Sequence, residues 1–164
     1  MISRLSAIML LLCCAVNLKA QTLNKTDSLQ LLEIVNDVFD GMRTNDSSKI
    51  SQHLHADLIM HTVSILPDGE TKLSTASNPQ AWLSAVAKPK QQQWDERTNN
   101  YKFNITEGLA TVWMNYGFFI DQQFSHCGVN SFQLIKADKN WKIIYIIDTR
   151  KKEGCNIADF PPTN

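Results

Sequence analysis

The fold is decided by "SHCGVNSFQLIKADKNWKIIYIIDTRKKEGC", residues 125–155. It holds two long runs rich in β-branched and apolar residues, parted by the break "ADKN" (137–140). Such runs around a hairpin-length break read as antiparallel strands, about 124–136 and 141–151. If Ala137 pairs with Asn140, Cys127 lies opposite Arg150, five residues short of Cys155, and Gly154 lets the chain turn back. Neighbours on a strand point to opposite faces, so His126 and Cys127 do not form a nucleophile with its base. Gly128 marks either a bulge or a close backbone approach.

Working outward, two more strands precede this pair, about 93–106 and 109–121, with breaks at "EG" (107–108) and "DQQ" (121–123). In "ATVWMNYGFFID" (110–121), Trp113 and Phe119 share one face, Tyr116 and Phe118 the other. Upstream the period changes. Leu32, Val35, Phe39 and Met42, widened by Leu31 and Val38, recur at helical spacing, with Thr26 as the expected cap and Asp27 in the first turn. A second short helix is expected at about 47–54, carrying Ile50 and Leu54. "DLIMHTVSIL" (57–66) reads as a strand followed by a polar loop. "NPQAWLSAVA" (78–87) reads as a helix capped by Asn78 and opened by Pro79, with Trp82 and Val86 on one face. Helices followed by a meander of long strands give an α+β order with the helices laid across one face of a curved sheet.

The first twenty residues stand apart. "MISRLSAIMLLLCCAVNLKA" has an early Arg4, an apolar run of about ten residues and Ala20 at the cut, the layout of a secretory signal peptide and too short to span a bilayer. Its loss removes two of 16 basic residues, Arg4 and Lys19, leaving 14 against 16 acidic and a net charge of −2 over 144 residues. That balance argues against nucleic acid and anionic membranes as partners. Cys127 and Cys155 then remain, and in an exported chain an isolated pair reads as one disulfide rather than two free thiols. The sequons at Asn24, Asn45 and Asn104 matter only in a eukaryotic secretory path. The Ala-Gln cut, with the family resemblance of the domain that follows it, suggests a bacterial exported protein, periplasmic or secreted. Residues 21–25 read as a leader, 26–155 as one domain and 156–164 as a flexible tail.

No motif names a reaction. The six glycines form no phosphate loop and no dinucleotide fingerprint, and there is no G-x-S-x-G elbow. No cofactor is implied, and His53 with His55 sits at the wrong spacing for a metal pair on a helix. His61, on a face with Ile59 and Val63, is the best single candidate for proton transfer or else a hydrogen-bonded core histidine. Asp148 is a pocket acid or a surface partner of Arg150 or Lys151. His126 and Asn130, two pleats apart on one face, are candidates for a pocket mouth.

The order of elements, with "SHCGVNSFQLIK", "NWKIIYIIDTRKKEGC" and "ATVWMNYGFF", resembles the nuclear transport factor 2-like superfamily, also called SnoaL-like or ketosteroid-isomerase-like. More narrowly, it is similar to the branch of that superfamily named for lumazine binding. The resemblance implies a cone-like barrel, with a curved, mostly antiparallel sheet wrapped around N-terminal helices, a hydrophobic pocket between them, and a homodimer through the outer sheet face. Ketosteroid isomerases carry a carboxylate base on the strand after the second helix. Here His61 or Thr62 stands there, and Tyr116 and Asp148 are only loosely placed for an oxyanion hole. Three readings stay open. One is a domain binding a small hydrophobic or aromatic ligand through His126, Asn130 and Trp113. Another is a cyclase, isomerase or dehydratase with His61 as base, assisted by Asp148 or Tyr116. The last is a structural module whose pocket is self-filled.

Overall fold

The structure, a computed structural model, describes residues 25–88 and 92–162. The expected signal peptide and most of the leader lie outside these residues. Helix α1 is described over 25–44. Its buried stripe is Leu31, Ile34, Val35, Val38, Phe39 and Met42, spacings of three and four that keep one face on the sheet. Burying each such side chain contributes roughly 1.5–3 kcal/mol. Thr26 is already within the helix and is not its cap. Asp27 instead accepts hydrogen bonds from Trp141 Nε1 and Lys136 Nζ, both at 3.0 Å, tying the helix to the last hairpin.

Helix α2, Ser47–Ser51, is capped by Asp46, whose carboxylate accepts from Ser48 N at 3.0 Å. It is shorter than expected. Leu54 opens strand β1, Leu54–Ile65, rather than closing the helix. The expected polar loop contains a short strand β2, Thr71–Leu73, paired antiparallel with β1. Helix α3, Pro79–Ala87, follows its expected cap: Asn78 accepts from Gln80 N at 2.9 Å and Ala81 N at 3.2 Å.

Strands β3 (Trp94–Ile105), β4 (Leu109–Ile120), β5 (Gln123–Ala137) and β6 (Asn140–Arg150) form the expected meander. Two of its turns place consecutive residues at positive φ, Asp121 with Gln122 and Asp138 with Lys139, the two-residue geometry that matches strand twist. The sheet order is β2-β1-β6-β5-β4-β3. β1 runs parallel to β6, and every other pairing is antiparallel. The result is an α+β cone, a curved, unclosed and mostly antiparallel sheet wrapped around the helices.

Register departs from the simple hairpin at one point. Ala137 pairs with Asn140 and Leu134 with Ile143, but Gln133 pairs with Tyr145, so Ile144 is an extra residue on β6. This bulge moves the partner of Cys127 from the expected Arg150 to Lys151, with both backbone bonds at 3.0 Å. Cys127 and Cys155 are joined as a disulfide, their Cα atoms 6.1 Å apart.

The stretch beyond Cys155, expected to be a flexible tail, is packed down instead. It forms a 3₁₀ turn, Ile157–Asp159, and buries Phe160 against Phe119 and Cys127. Gly117 makes room: a Cβ there would sit 2.8 Å from the Phe160 ring. Arg97 donates to the Phe160 carbonyl at 3.2 Å and lies 3.8 Å over the Phe119 ring. Buried Asp95 accepts from Arg97 Nε at 2.7 Å and Arg43 Nε at 2.9 Å. Burial raises its pKa, but the two guanidinium bonds outweigh that and hold it below the usual range. This triad links α1, β3 and the C-terminal segment.

The disulfide closes a loop with a sequence separation of 28. By the chain-entropy relation, its reduction costs about 3–4 kcal/mol. Urea unfolding of the reduced and alkylated protein should show a correspondingly lower midpoint, with a slope equal to or steeper than that of the oxidised protein because the released loop lets the unfolded chain expand. An unchanged midpoint would contradict this.

Candidate functional site

After the bulge, the residues of β6 that face the helices are Ile146 and Asp148. Asp148 pairs with Asn130 on β5 and with Thr62 on β1, so the three side chains project from neighbouring strands onto the inner face. On the other side, His126 pairs with Phe118, and Phe118 with Glu96. These rows line a cavity of about 390 Å³ between the sheet and helices α1 and α3. Its apolar wall includes Phe39, Met42, Trp82, Trp94, Phe118 and Phe132.

The polar wall is internally bonded. Asn130 Nδ2 donates to Glu96 Oε1 at 2.6 Å. Thr62 Oγ1 donates to Asp148 Oδ1 at 2.6 Å, and the Tyr116 hydroxyl is shared between Asp148 Oδ2 at 3.1 Å and the Thr149 carbonyl at 2.9 Å. Arg150 approaches Asp148 Oδ2 at 3.5 Å. Gly128 lies opposite Tyr116, and a Cβ there would sit 1.8 Å from the Thr149 oxygen and 2.9 Å from Tyr116 Cε1. The glycine therefore serves a close approach, which brings the tyrosine hydroxyl onto β6.

Desolvation sets the electrostatics. Burial raises the Glu96 carboxyl to about 7; the Asn130 bond pulls it down and the charge of Asp148 pushes it up. Burial, with the charges of Asp148 and Glu96, raises the Tyr116 phenol, which stays a neutral donor. His126 is lowered to about 4, first by burial and then by Arg150, so its imidazole is neutral at pH 7. Its ring lies 5.0 Å from Phe118 and edge-on to Tyr116 at 5.7 Å, with Nδ1 3.0 Å from Ser125 Oγ. A neutral imidazole and a half-protonated carboxyl can both exchange hydrogen bonds or protons near neutral pH.

Of the residues singled out in sequence, Tyr116, His126, Asn130 and Asp148 come together here. His61 borders the cavity, but its flanking residues Met60 and Thr62 face inward and its own ring meets the Tyr145 hydroxyl at 3.2 Å on the outer face. That leaves it poorly placed to act as a base inside. Trp113 is 44 % exposed on the outer face, and Trp82 and Trp94 supply the inner indoles instead. Glu96 was missed. Its only trace in sequence is that it alternates with Trp94 on a strand. Cys127 faces outward into a cluster with Phe119 and Phe160, away from His126. Among the described residues no group of three or more His, Cys, Asp or Glu side chains is arranged to hold a metal, and no helix is long and apolar enough to cross a membrane.

The two shifted groups have opposite linkage. Glu96 has a folded pKa above its ordinary 4.5, so its stability contribution is full below 4.5 and is lost as pH rises to about 7. His126 has a folded pKa below its ordinary 6.5, so its contribution is full above 6.5 and is lost as pH falls to about 4. The melting temperature of wild type relative to Glu96→Gln should therefore fall between pH 4.5 and 7. Relative to His126→Gln it should rise between pH 4 and 6.5. Parallel profiles in either comparison would contradict that assignment.

Comparison with known proteins agrees with this architecture. Residues 26–146 match the model of the family described as "Putative lumazine-binding". No curated protein matches the sequence. Among solved structures, a nuclear transport factor 2-like protein with a cystatin-like fold from Novosphingobium aromaticivorans is 12% identical, covering 88% of this chain and 94% of its own at a TM-score of 0.63. A nuclear transport factor 2-like protein from Cytophaga hutchinsonii is 18% identical, covering 74% and 95% at 0.58. A protein from Novosphingobium aromaticivorans named "Putative Scytalone Dehydratase" is 11% identical, covering 78% and 86% at 0.60. At these identities the structures speak to fold alone. The family model spans most of the chain, and the chain belongs to the "Putative lumazine-binding" family, with a fold like that of the nuclear transport factor 2-like structures.

Proposed function

We propose that this chain is an exported small-molecule-binding domain that takes a flat, largely apolar ligand. The observation that carries this reading is the cavity of about 390 Å³, large enough for a compact ring system, with aromatic walls and a few fixed polar groups. Trp82, Trp94 and Phe118 would stack on the body of the ligand, and the Glu96–Asn130 pair would read its hydrogen-bonding edge. A ring system with adjacent donors and acceptors, such as lumazine, suits that wall, and the family description supports trying it first. Export is supported by the signal-like Met1–Ala20 segment and by the disulfide.

One observation favours a second reading. A carboxyl held near neutrality beside an acid–tyrosine pair is the equipment for moving a proton between carbon and oxygen. In that reading Glu96, not His61, is the base of an isomerase, cyclase or dehydratase. Conversion of a bound ligand would favour it over passive binding.

Native mass spectrometry of the protein from its own host should show a retained small molecule. Titration with lumazine should quench tryptophan fluorescence, and Asn130→Ala should weaken binding about tenfold, as expected for one hydrogen bond to a buried group. No retained mass and no thermal shift across a metabolite library would overturn the binding reading.

The outer face carries Ile59 at 49 % and Trp113 at 44 % exposure, apolar surface suited to a second copy of the chain. A homodimer through this face should dissociate in Trp113→Glu, read by light scattering. An unchanged dimer, or a monomeric wild type, would overturn the assignment.

A further inference from the structure

A second cavity, of about 540 Å³, adjoins the first at its mouth. Arg150 and His126 line both. Its remaining wall comes from the end of β1, the loop after it, Ser125 of β5, and Lys151, Lys152 and Glu153. Three cations thus face one acid, and the lining residues contributed by β1 and its loop (Ser64, Ile65, Leu66, Pro67 and Gly69) are uncharged. Asp148 engages Arg150 from the inner side only, at one nitrogen, and the Arg150 side chain stays 50 % exposed. A guanidinium carries five N–H donors, so most of those of Arg150 are left for another acceptor.

The basic segment is held in place. Lys151 exchanges two backbone bonds with Cys127, and Lys151 Nζ donates to the Gly154 carbonyl at 3.3 Å. The disulfide to Cys155 closes the same segment from its far end. A backbone fixed in advance leaves less entropy to lose when the cations it carries meet an anion. Burial first, and then Arg150 and Lys152 from this side, favour the neutral form of His126 against the opposing charge of Asp148, so the ring between the cavities adds no charge of its own at pH 7.

We propose that the ligand is an amphipathic anion: a flat apolar body in the inner cavity joined to one carboxylate, phosphate or sulfonate group that passes His126 and rests on Arg150 and Lys152. This rests on the binding reading above and names the class of molecule that site selects. The inner cavity, with its acids on the polar wall, repels a second negative charge, so the anion belongs at the mouth and the orientation is fixed.

A matched pair of probes tests it: 1-anilinonaphthalene-8-sulfonate and N-phenyl-1-naphthylamine, the same ring body with and without the sulfonate. Fluorescence titration at low salt should give about tenfold tighter binding of the sulfonate probe, an advantage shrinking as salt rises. Arg150→Ala should narrow the ratio of the two affinities to under about threefold. Lys152→Glu, which touches no buried pair, should narrow or invert it and keeps the test intact if the Arg150 variant misfolds. Equal affinity of the two probes for wild type, or a ratio unmoved in Lys152→Glu, overturns the inference while leaving the binding site in place. Failure of both probes to bind overturns the site itself.

Discussion

One extra residue on the last strand decides what the inside of this sheet contains. Before Ile144 the inward side chains of β6 are Trp141 and Ile143, which belong to the core. After it they are Ile146 and Asp148. Because a strand alternates with a period of two, removing the bulge would turn Tyr145, Ile147 and Thr149 inward and carry Asp148 to the outer face. The same slip sets Cys127 against Lys151, and so fixes where the disulfide can close and where Arg150 and Lys152 emerge. Core, polar wall and mouth all depend on that one insertion.

The polar wall persists in an apolar interior because its members satisfy one another. Asp148 accepts from Thr62 and Tyr116, and Glu96 accepts from Asn130. An unpaired buried carboxylate would be far more costly. Even so, Glu96 lies where burial outweighs its single bond from Asn130, and the neighbouring Asp148 charge adds to the shift. The cavity therefore contains one group with no settled charge at neutral pH. That makes it a site able to adapt to a ligand's donors and acceptors, or to pass a proton to one.

Much of the architecture was legible in the sequence because it rests on local signals. The four long strands fall within a residue of the spans set by their turn residues, and Asn78-Pro79 opens α3 where capping chemistry puts it. The disulfide followed from count, compartment and rough register. Register itself was not legible. A one-residue bulge at Ile144 leaves no compositional mark in a run that is apolar on both faces, so Arg150 was paired one place too early. For the same reason the inward parity of β1 was open, and His61 looked as well placed as Thr62. Trp113 and Glu96 show the limit most clearly. Aromatic character suggested a ligand contact that the strand turns outward, and a charged residue in a polar run gave no sign that it faces the cavity. The Phe160 anchor was invisible because it depends on room left by Gly117, over forty residues away.

The inner cavity is a desolvated site into which the Glu96 carboxyl projects. The most direct test is a carbon-13 NMR titration of the Glu96 side-chain carboxyl, assigned by loss of the signal in Glu96→Gln. The expected midpoint is near 7. A midpoint near the ordinary 4.5 would show a hydrated carboxylate and contradict the site as described.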